Sequence, residues 1–347
     1  MNRSIISNAP SKYTTLHLFH RTEFRHKISI VAVAHTLHIM SSSGSSRPFT
    51  KTVSWDEYMQ YRPPYPDSMW KVWFDYHKGP LDVISDIGTG GGVAAHDMAR
   101  RTKVKRMYLS DPGKEHLDFA ERFLRERHAD VEFVLSNTVA EDRWLEDGSV
   151  DFVSCCEALH WVDVDKGMPV MADSLRAGGT FAAVYYLPFP RITNSGRAQE
   201  GQTRLLDDFG KSTPDSAVRH PAWRRGFSNS NMGMDFVPFD EGVWTDVRRI
   251  EVNLPEAGWP SSASIAERFG VAPCRVGEGE VKERWEDAGW KTRDTAEGLR
   301  KLLGKFLGAP DETWDCDAWR EVLAGAEEVG GVFELSFQVA MVLARKR

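Results

Sequence analysis

Between Pro66 and Tyr186 the chain switches repeatedly between two hydrophobic periods, and that alternation limits its fold more than any other feature. Behind Pro66-Asp67-Ser68, the residues Trp70, Trp73, Phe74 and His77 recur at three- and four-residue spacing, as a helix with one buried stripe requires. Leu81 to Ile87 is a short apolar run that leads into Gly88-Thr89-Gly90-Gly91-Gly92, and a helix with Val93, Ala94, His96, Asp97 and Met98 follows. Lys105–Ser110, Val131–Leu135, Val150–Cys155 and Thr180–Tyr186 read as further strands. Glu115–His128 and Val164–Leu175 read as helices, the second stopping at Ala177-Gly178-Gly179, because glycine accepts the left-handed turn that ends a helix. Strands and helices in this rhythm predict an α/β domain, a doubly wound, mostly parallel sheet covered on both faces.

After Tyr186 the rhythm breaks. Residues 187–240 are rich in Pro, Ser and Arg with one helix expected at Gln202–Phe209, and Trp244–Val252 reads as a returning strand. Helices are expected near Ser262–Phe269, Glu280–Phe306 and Ala318–Val329, and Phe333–Leu343 reads as a closing strand. Seven of the 12 Trp follow residue 186, which suits a cap over an apolar pocket, although Trp serves any core equally well. The expected division is a 1–48 extension, a 49–190 core, a 191–330 insertion that holds the returning strand near 244–252, and a 331–347 closing strand of the core sheet.

Charge narrows the function. The net charge of −6 over 347 residues combines +5 in residues 1–50 with −11 in the rest, and an acidic body argues against displacing counterions from a nucleic acid. The basic, Ser/Thr-rich opening has the composition of a mitochondrial presequence, of a disordered tail, or of a segment ahead of a true start at Met40. A cytoplasmic protein is expected, or a mitochondrial one if residues 1–39 are a presequence. Ile28–Met40, an apolar run of 13 residues, is too short to span a bilayer. The four Cys lack C-x-x-C spacing, so neither a metal site nor a disulfide framework is expected.

The chemistry concentrates at Asp86-Ile87-Gly88-Thr89-Gly90-Gly91-Gly92, a D-x-G-x-G-x-G run at a strand-to-helix turn. Missing side chains let a ligand approach such a backbone. The dinucleotide fingerprint would need its third glycine at position 93, which is Val93. Asp111 ends the second strand 19 residues after Gly92, where a carboxylate suits both hydroxyls of a ribose or the N-cap of the next helix. Ala140-Glu141-Asp142 follows the third strand, where amides and a side chain can meet an adenine edge; Glu141 also suits a plain loop acid.

With these pieces in place, the chain resembles the class I S-adenosylmethionine-dependent methyltransferases. The resemblance rests on DIGTGGG (86–92), SDPG (110–113), VAED (139–142), DGSVDFVSCCEALHWVD (147–163) and LRAGGTF (175–181). More narrowly, YMQYRPPYP (58–66), ALHW (158–161) and the closing VAMVLARK are similar to the fungal trans-aconitate methyltransferase-like group. It implies a Rossmann-like, mostly parallel seven-stranded sheet with a helical, Trp-rich cap insertion, and S-adenosyl-L-methionine as cofactor. By resemblance, Asp86, Gly88 and Gly90 hold the methionine end, Asp111 the ribose, and Ala140 with Glu141 the adenine. Thr89 and Gly113 depart from the usual residues without removing a needed group. Tyr61 and Arg62 are expected against the cofactor and Tyr58 with Trp161 against the substrate, the alternative for Arg62-Pro63-Pro64 being a rigid lead-in.

The resemblance also implies that Glu157 to Trp161 lie beside the methyl group, with His160 as the candidate general base. The Asn/Asp-Pro-Pro-Tyr/Phe tetrad of nucleobase and amide methylation is absent there, which counts against nucleic acid or a protein amide as substrate; the expected partner is a small molecule, with no nucleic acid and no membrane. The expected reaction is in-line O-methylation, a carboxylate such as an aconitate-like acid being one acceptor. Gripping it calls for an Arg fork from among Arg62, Arg191, Arg224, Arg225, Arg248 and Arg249, the last two pointing to opposite faces of a strand. The alternatives are an NAD-dependent oxidoreductase and a catalytically silent cofactor-binding scaffold. Oligomeric state is left open.

Overall fold

The computed structural model describes residues 54–260, 262–307 and 314–347. The expected 1–48 extension and its presequence reading lie outside the described residues. Two helices, α1 (Trp55–Tyr61) and α2 (Asp67–Tyr76), precede the alternating run. That run is β1 (Val83–Ile87), α3 (Val93–Arg101), β2 (Arg106–Ser110), α4 (Lys114–Arg125), β3 (Glu132–Ser136), β4 (Val150–Cys156), a 3-10 turn at Leu159–Trp161, α5 (Val164–Ser174) and β5 (Leu175–Tyr186).

There follow β6 (Arg191–Ile192), α6 (Gly196–Ser212), α7 (Asp215–Arg219), α8 (Pro221–Ser230), β7 (Trp244–Val252), α9 (Ala263–Phe269) and β8 (Val281–Trp285). The chain ends with β9 (Lys291–Thr295), α10 (Ala296–Leu307), α11 (Asp317–Glu328), β10 (Val332–Ser336) and β11 (Val339–Lys346). No described helix is long and apolar enough to cross a membrane.

The main sheet runs β3-β2-β1-β4-β5-β11-β7-β8. β1 to β5 pair in parallel, β11 lies antiparallel between β5 and β7, and β8 is parallel to β7. Alternate residues feed two cores, as a sheet covered on both faces requires. Ile84, Met107, Phe152, Val184 and Met341 meet Trp70 and Trp73 of α2 and Met98 of α3 on one face. Val153, Cys155, Phe181, Ala183 and Val342 meet Met168 and Met171 of α5 and Phe236 on the other. The strand order reverses direction between β1 and β4, where an open α/β sheet leaves a crevice at its carboxyl ends.

Five expectations are corrected. The main sheet has eight strands, not seven, and β6, β10 and β9 form a separate antiparallel sheet. The helix expected over Glu280–Phe306 is β8, a short turn, β9 and only then α10. Charged side chains gave β8 a helical look, but as an edge strand it carries them outward, and edges tolerate charge. Its charges are matched by β7: Arg248 donates to Glu283 at 2.7 Å, and Arg284 to Glu251 at 2.8 Å.

The single closing strand over Phe333–Leu343 is two strands in different sheets, broken at Phe337-Gln338. Gly178 and Gly179 do not stop α5, which has already ended at Ser174. They lie in β5, where Val150 pairs with Leu175 but Phe152 with Thr180; the extra residues bulge, and Gly178 takes φ +75. The expected 202–209 helix is the middle of the longer α6, and α7 and α8 add helices that the Pro- and Ser-rich stretch concealed.

The Arg248-Arg249 pair points to opposite faces, as alternation requires. Arg249 is 1 % exposed, donates to the carbonyls of Met234 and Val237 at 2.6 and 2.8 Å, and is ion-paired with Glu280. Removing one member of such a buried network costs about 3–5 kcal/mol, whereas a partly exposed pair such as Arg248–Glu283 contributes about 1 kcal/mol or less. Urea denaturation of Arg249→Ala and Arg248→Ala should therefore show a large loss for the first and a small one for the second.

Candidate functional site

The glycine loop begins where β1 ends. Gly88, Gly90 and Gly92 take φ of +66, +54 and +82, which residues with a Cβ rarely adopt. Gly88 N donates to Ser110 O at 2.8 Å, which ties the loop to the end of β2. A Cβ on Gly88 would stand 2.3 Å from Ala158 Cβ, so the loop touches the exit of β4. A Cβ on Gly92 would stand 3.0 Å from Leu124, so the third glycine lets α3 pack closely on α4.

Asp111 lies just beyond β2 and joins these pieces. One carboxylate oxygen accepts from Gly90 N at 3.0 Å; the other accepts from Gly113 N at 2.7 Å and lies 3.2 Å from His116 Nδ1. The N-cap of α4 is Gly113, so Asp111 holds the turn ahead of the helix rather than capping it. The carboxylate keeps room for a further donor, since its oxygens offer about four acceptor positions. Asp86 is buried at the end of β1, accepting from Ser154 Oγ at 2.6 Å, and burial pushes its carboxyl up to about 6. Its second oxygen makes no hydrogen bond of full geometry among the described residues.

Over this loop lies α1. Trp55 packs its ring on Gly90 and Gly91, edge-on to His116 and stacked with Phe119. One turn later, Tyr58 lies beneath the Arg62 guanidinium, which is 4.4 Å from the ring centroid. Arg62 Nη1 donates to Tyr186 Oη at 3.1 Å and stands 3.6 Å from Glu157 Oε2. Glu157 Oε1 accepts from Tyr186 N at 2.6 Å. Glu157 takes φ +55, an uncommon conformation for a side chain of this size and one that functional sites retain. Burial raises its carboxyl to about 8, against the pull of Arg62 and the Tyr186 amide. Burial likewise pushes the phenols of Tyr58, Tyr65 and Tyr186 upward, so all three are neutral at physiological pH.

The structure thus gathers Tyr58, Arg62, Asp86, Gly88, Gly90 and Asp111. It separates others. Tyr61 turns toward α10, with Lys301 5.4 Å from its ring. The Glu141 carboxylate accepts from Asp163 N at 2.7 Å and faces Arg225 at 3.8 Å, while Ala140 lines a cleft with Ser85, Ile87 and Ser110. His160 is buried against Tyr185 and Trp161; burial, with the charge of Arg62, holds its imidazole down to about 3. Trp161 packs on Trp223, Phe227 and the bare face of Gly226 in the cap.

Trp55, Tyr65, His116 and Tyr186 were not foreseen as site residues. Trp55 was accessible to sequence reasoning, because it precedes Tyr58 by three residues and so shares its helix face. Among the described residues, no three His, Cys, Asp or Glu side chains converge as a metal site would need.

Comparison with known proteins matches residues 84–179, β1 to the bulge of β5, to the methyltransferase domain family. The chain is an S-adenosylmethionine-dependent methyltransferase. Methyltransferase AacuQ of Aspergillus aculeatus is 28 % identical over 84 % of this chain and 93 % of its own length. Methyltransferase tpcM of Aspergillus fumigatus is 32 % identical over 59 % of this chain and 63 % of its own. A solved structure assigned as a type II methyltransferase from Anaeromyxobacter dehalogenans shares the fold, with TM-score 0.52 and 19 % identity over 82 % of this chain and 98 % of that one.

The residues present suit the cofactor of this methyltransferase. The side-chain-free cradle at Gly88 and Gly90, the unfilled oxygen of Asp86 and the remaining acceptor capacity of Asp111 are what an amino acid joined to a nucleoside requires. Gly88→Ala should cost about 1–3 kcal/mol of stability through its positive φ and weaken S-adenosylhomocysteine binding more than about tenfold by forcing the loop off Ala158. Gly178→Ala is the control. It shares a positive φ but meets nothing within 4 Å, so calorimetry should find its stability lowered and its ligand affinity intact.

Proposed function

We propose that this methyltransferase carries the methyl group of S-adenosylmethionine to an oxygen of a small, flat acceptor. The observation that supports this reading is the aromatic wall beside the exit of β4. The rings of His160, Trp161 and Tyr185 pack together there, and Trp223, Phe227 and Trp259 extend the cluster from the cap. Such surfaces suit the face of an aromatic or conjugated molecule.

When bound, the cofactor supplies a methyl group made electrophilic by its sulfonium. The chain supplies position and dryness. Asp111 and the glycine loop hold the nucleoside and methionine ends, and the neutral rings of Tyr58, Tyr65 and Tyr186 exclude water from the transfer path. Holding two reactants in line is worth about 7–11 kcal/mol of barrier. His160 suits the wall better than base duty, since an imidazole held near 3 is a weak proton acceptor at neutral pH.

The same reasoning favours a phenol or an aromatic carboxylate over a multiply charged aconitate-like acid. Such an acid calls for several guanidinium groups, yet Arg225, Arg248 and Arg249 are engaged with Glu141, Glu283 and Glu280. Arg191 and Arg224 are exposed. Of the six candidates, Arg62 faces Glu157 at the exit of β4, and Arg225 also reaches that exit, where it donates to the Trp161 carbonyl at 3.3 Å.

The chain incubated with S-adenosylmethionine and a panel of phenols and aromatic carboxylic acids, with products read by mass spectrometry, should yield a methyl ether or methyl ester. Asp111→Ala should weaken S-adenosylhomocysteine binding by about 1–3 kcal/mol, the usual cost of a charge-assisted hydrogen bond. Tight S-adenosylhomocysteine binding with no methylated product from any panel member would contradict the proposed acceptor class.

A further inference from the structure

Glu157 is an ionisable side chain that the roles assigned above leave without a use. Its place is fixed by register. β1 and β4 are parallel with Asp86 beside Ser154, so Gly88 lies level with Cys156 and Glu157 comes one residue later. The close approach of Gly88 to Ala158 brings this exit against the loop assigned to the methionine end of the cofactor. The carboxylate is enclosed. Arg62 from the end of α1 faces it at 3.6 Å, and Tyr186 from β5 donates its amide. Tyr58, Tyr65, Tyr185, Cys155 and Cys156 surround it as neutral groups, with His160 also uncharged. Asp86 and Asp111 are the acids held at the glycine loop, while Asp97 and Glu141 act on the neighbouring Cys156 and Cys155.

From this arrangement we infer that Glu157 makes the site read charge, preferring the cationic sulfonium of S-adenosylmethionine to the neutral thioether of S-adenosylhomocysteine. The inference rests on the cofactor assignment and adds a selectivity that the assignment does not require. A buried carboxylate with a single cation at 3.6 Å gains from a second positive charge, and in a dry site that gain exceeds its value in water. The neutral product offers no such gain, so the spent cofactor leaves while fresh cofactor is retained. The same groups give the effect a pH dependence. With the carboxyl raised to about 8, Glu157 holds its proton at neutral pH in the free chain. A bound cation favours the ionised form, so binding S-adenosylmethionine releases that proton and tightens as pH rises toward 8. Binding S-adenosylhomocysteine does neither.

Calorimetric titration of both ligands into the full chain and into Glu157→Gln tests this without an acceptor. The side-chain amide that Glu157→Gln introduces keeps an oxygen for the Tyr186 amide but carries no charge. The wild type should bind S-adenosylmethionine about tenfold or more tighter than S-adenosylhomocysteine at pH 8.5, and the ratio should fall to about twofold in Glu157→Gln with thioether affinity unchanged. If that variant does not fold, the wild-type ratio decides, because it should grow severalfold between pH 6 and pH 8.5. Binding of both ligands with a ratio that is insensitive to pH or to the substitution would overturn the role of Glu157. Failure of a folded chain to bind either ligand would instead overturn the cofactor assignment beneath it.

Discussion

One carboxylate organises the site. Asp111 accepts hydrogen bonds from Gly90 in the loop after β1 and from Gly113 in the turn after β2, and it lies beside His116 on α4. These contacts fix the spacing between two strand ends, together with the hydrogen bonds of Gly88 N and Thr89 N to Ser110 O. The glycine loop can then lean on Ala158 at the exit of β4 and take the Trp55 ring on its outer side. Remove the carboxylate, and Gly90 and Gly113 each lose an acceptor in a buried place, at about 1–3 kcal/mol per unsatisfied group. The loop conformation, the seat of α1 and the approach of Glu157 all follow from that anchor.

The second organising feature is electrostatic. Arg62 and Glu157 form a pair held away from water, and a pair of this kind is a weak source of stability because both charges must first be desolvated. The pair sits among phenols that burial keeps neutral, so once Glu157 ionises its charge is poorly screened and a cation brought nearby is felt strongly. The left-handed backbone of Glu157 belongs to the same picture, because it sets the carboxylate beneath the Tyr186 amide at the mouth of the sheet.

Much of this was legible in the sequence. The strands from Val83 to Tyr186 and the returning strand Trp244–Val252 announce themselves by short apolar runs between turn residues, and the glycine spacing with Asp111 locates the cofactor end of the sheet. What escaped was set by distant partners. β8 is a strand because β7 offers it charges to pair with, which its own Lys, Glu and Arg do not reveal. The break at Phe337-Gln338 is likewise invisible in a continuous apolar run, because it arises from two sheets claiming successive segments. In the site, Tyr58 and Arg62 were expected from the resemblance of the segment ahead of the sheet, and the structure sets them together beside Glu157. Tyr61 is their neighbour in sequence and yet faces Lys301, and Glu141 meets the amide of Asp163, a residue 22 positions away. Local pattern gives the element; packing sets which neighbours each side chain meets.

The most direct test of the arrangement centred on Asp111 is a crystal structure of the full chain grown with S-adenosylhomocysteine. The ribose hydroxyls should lie on the Asp111 carboxylate, the methionine end along Gly88 and Gly90, and the sulfur beside Glu157. A ligand bound elsewhere, or bound in this crevice with Asp111 turned away from the ribose, would contradict it.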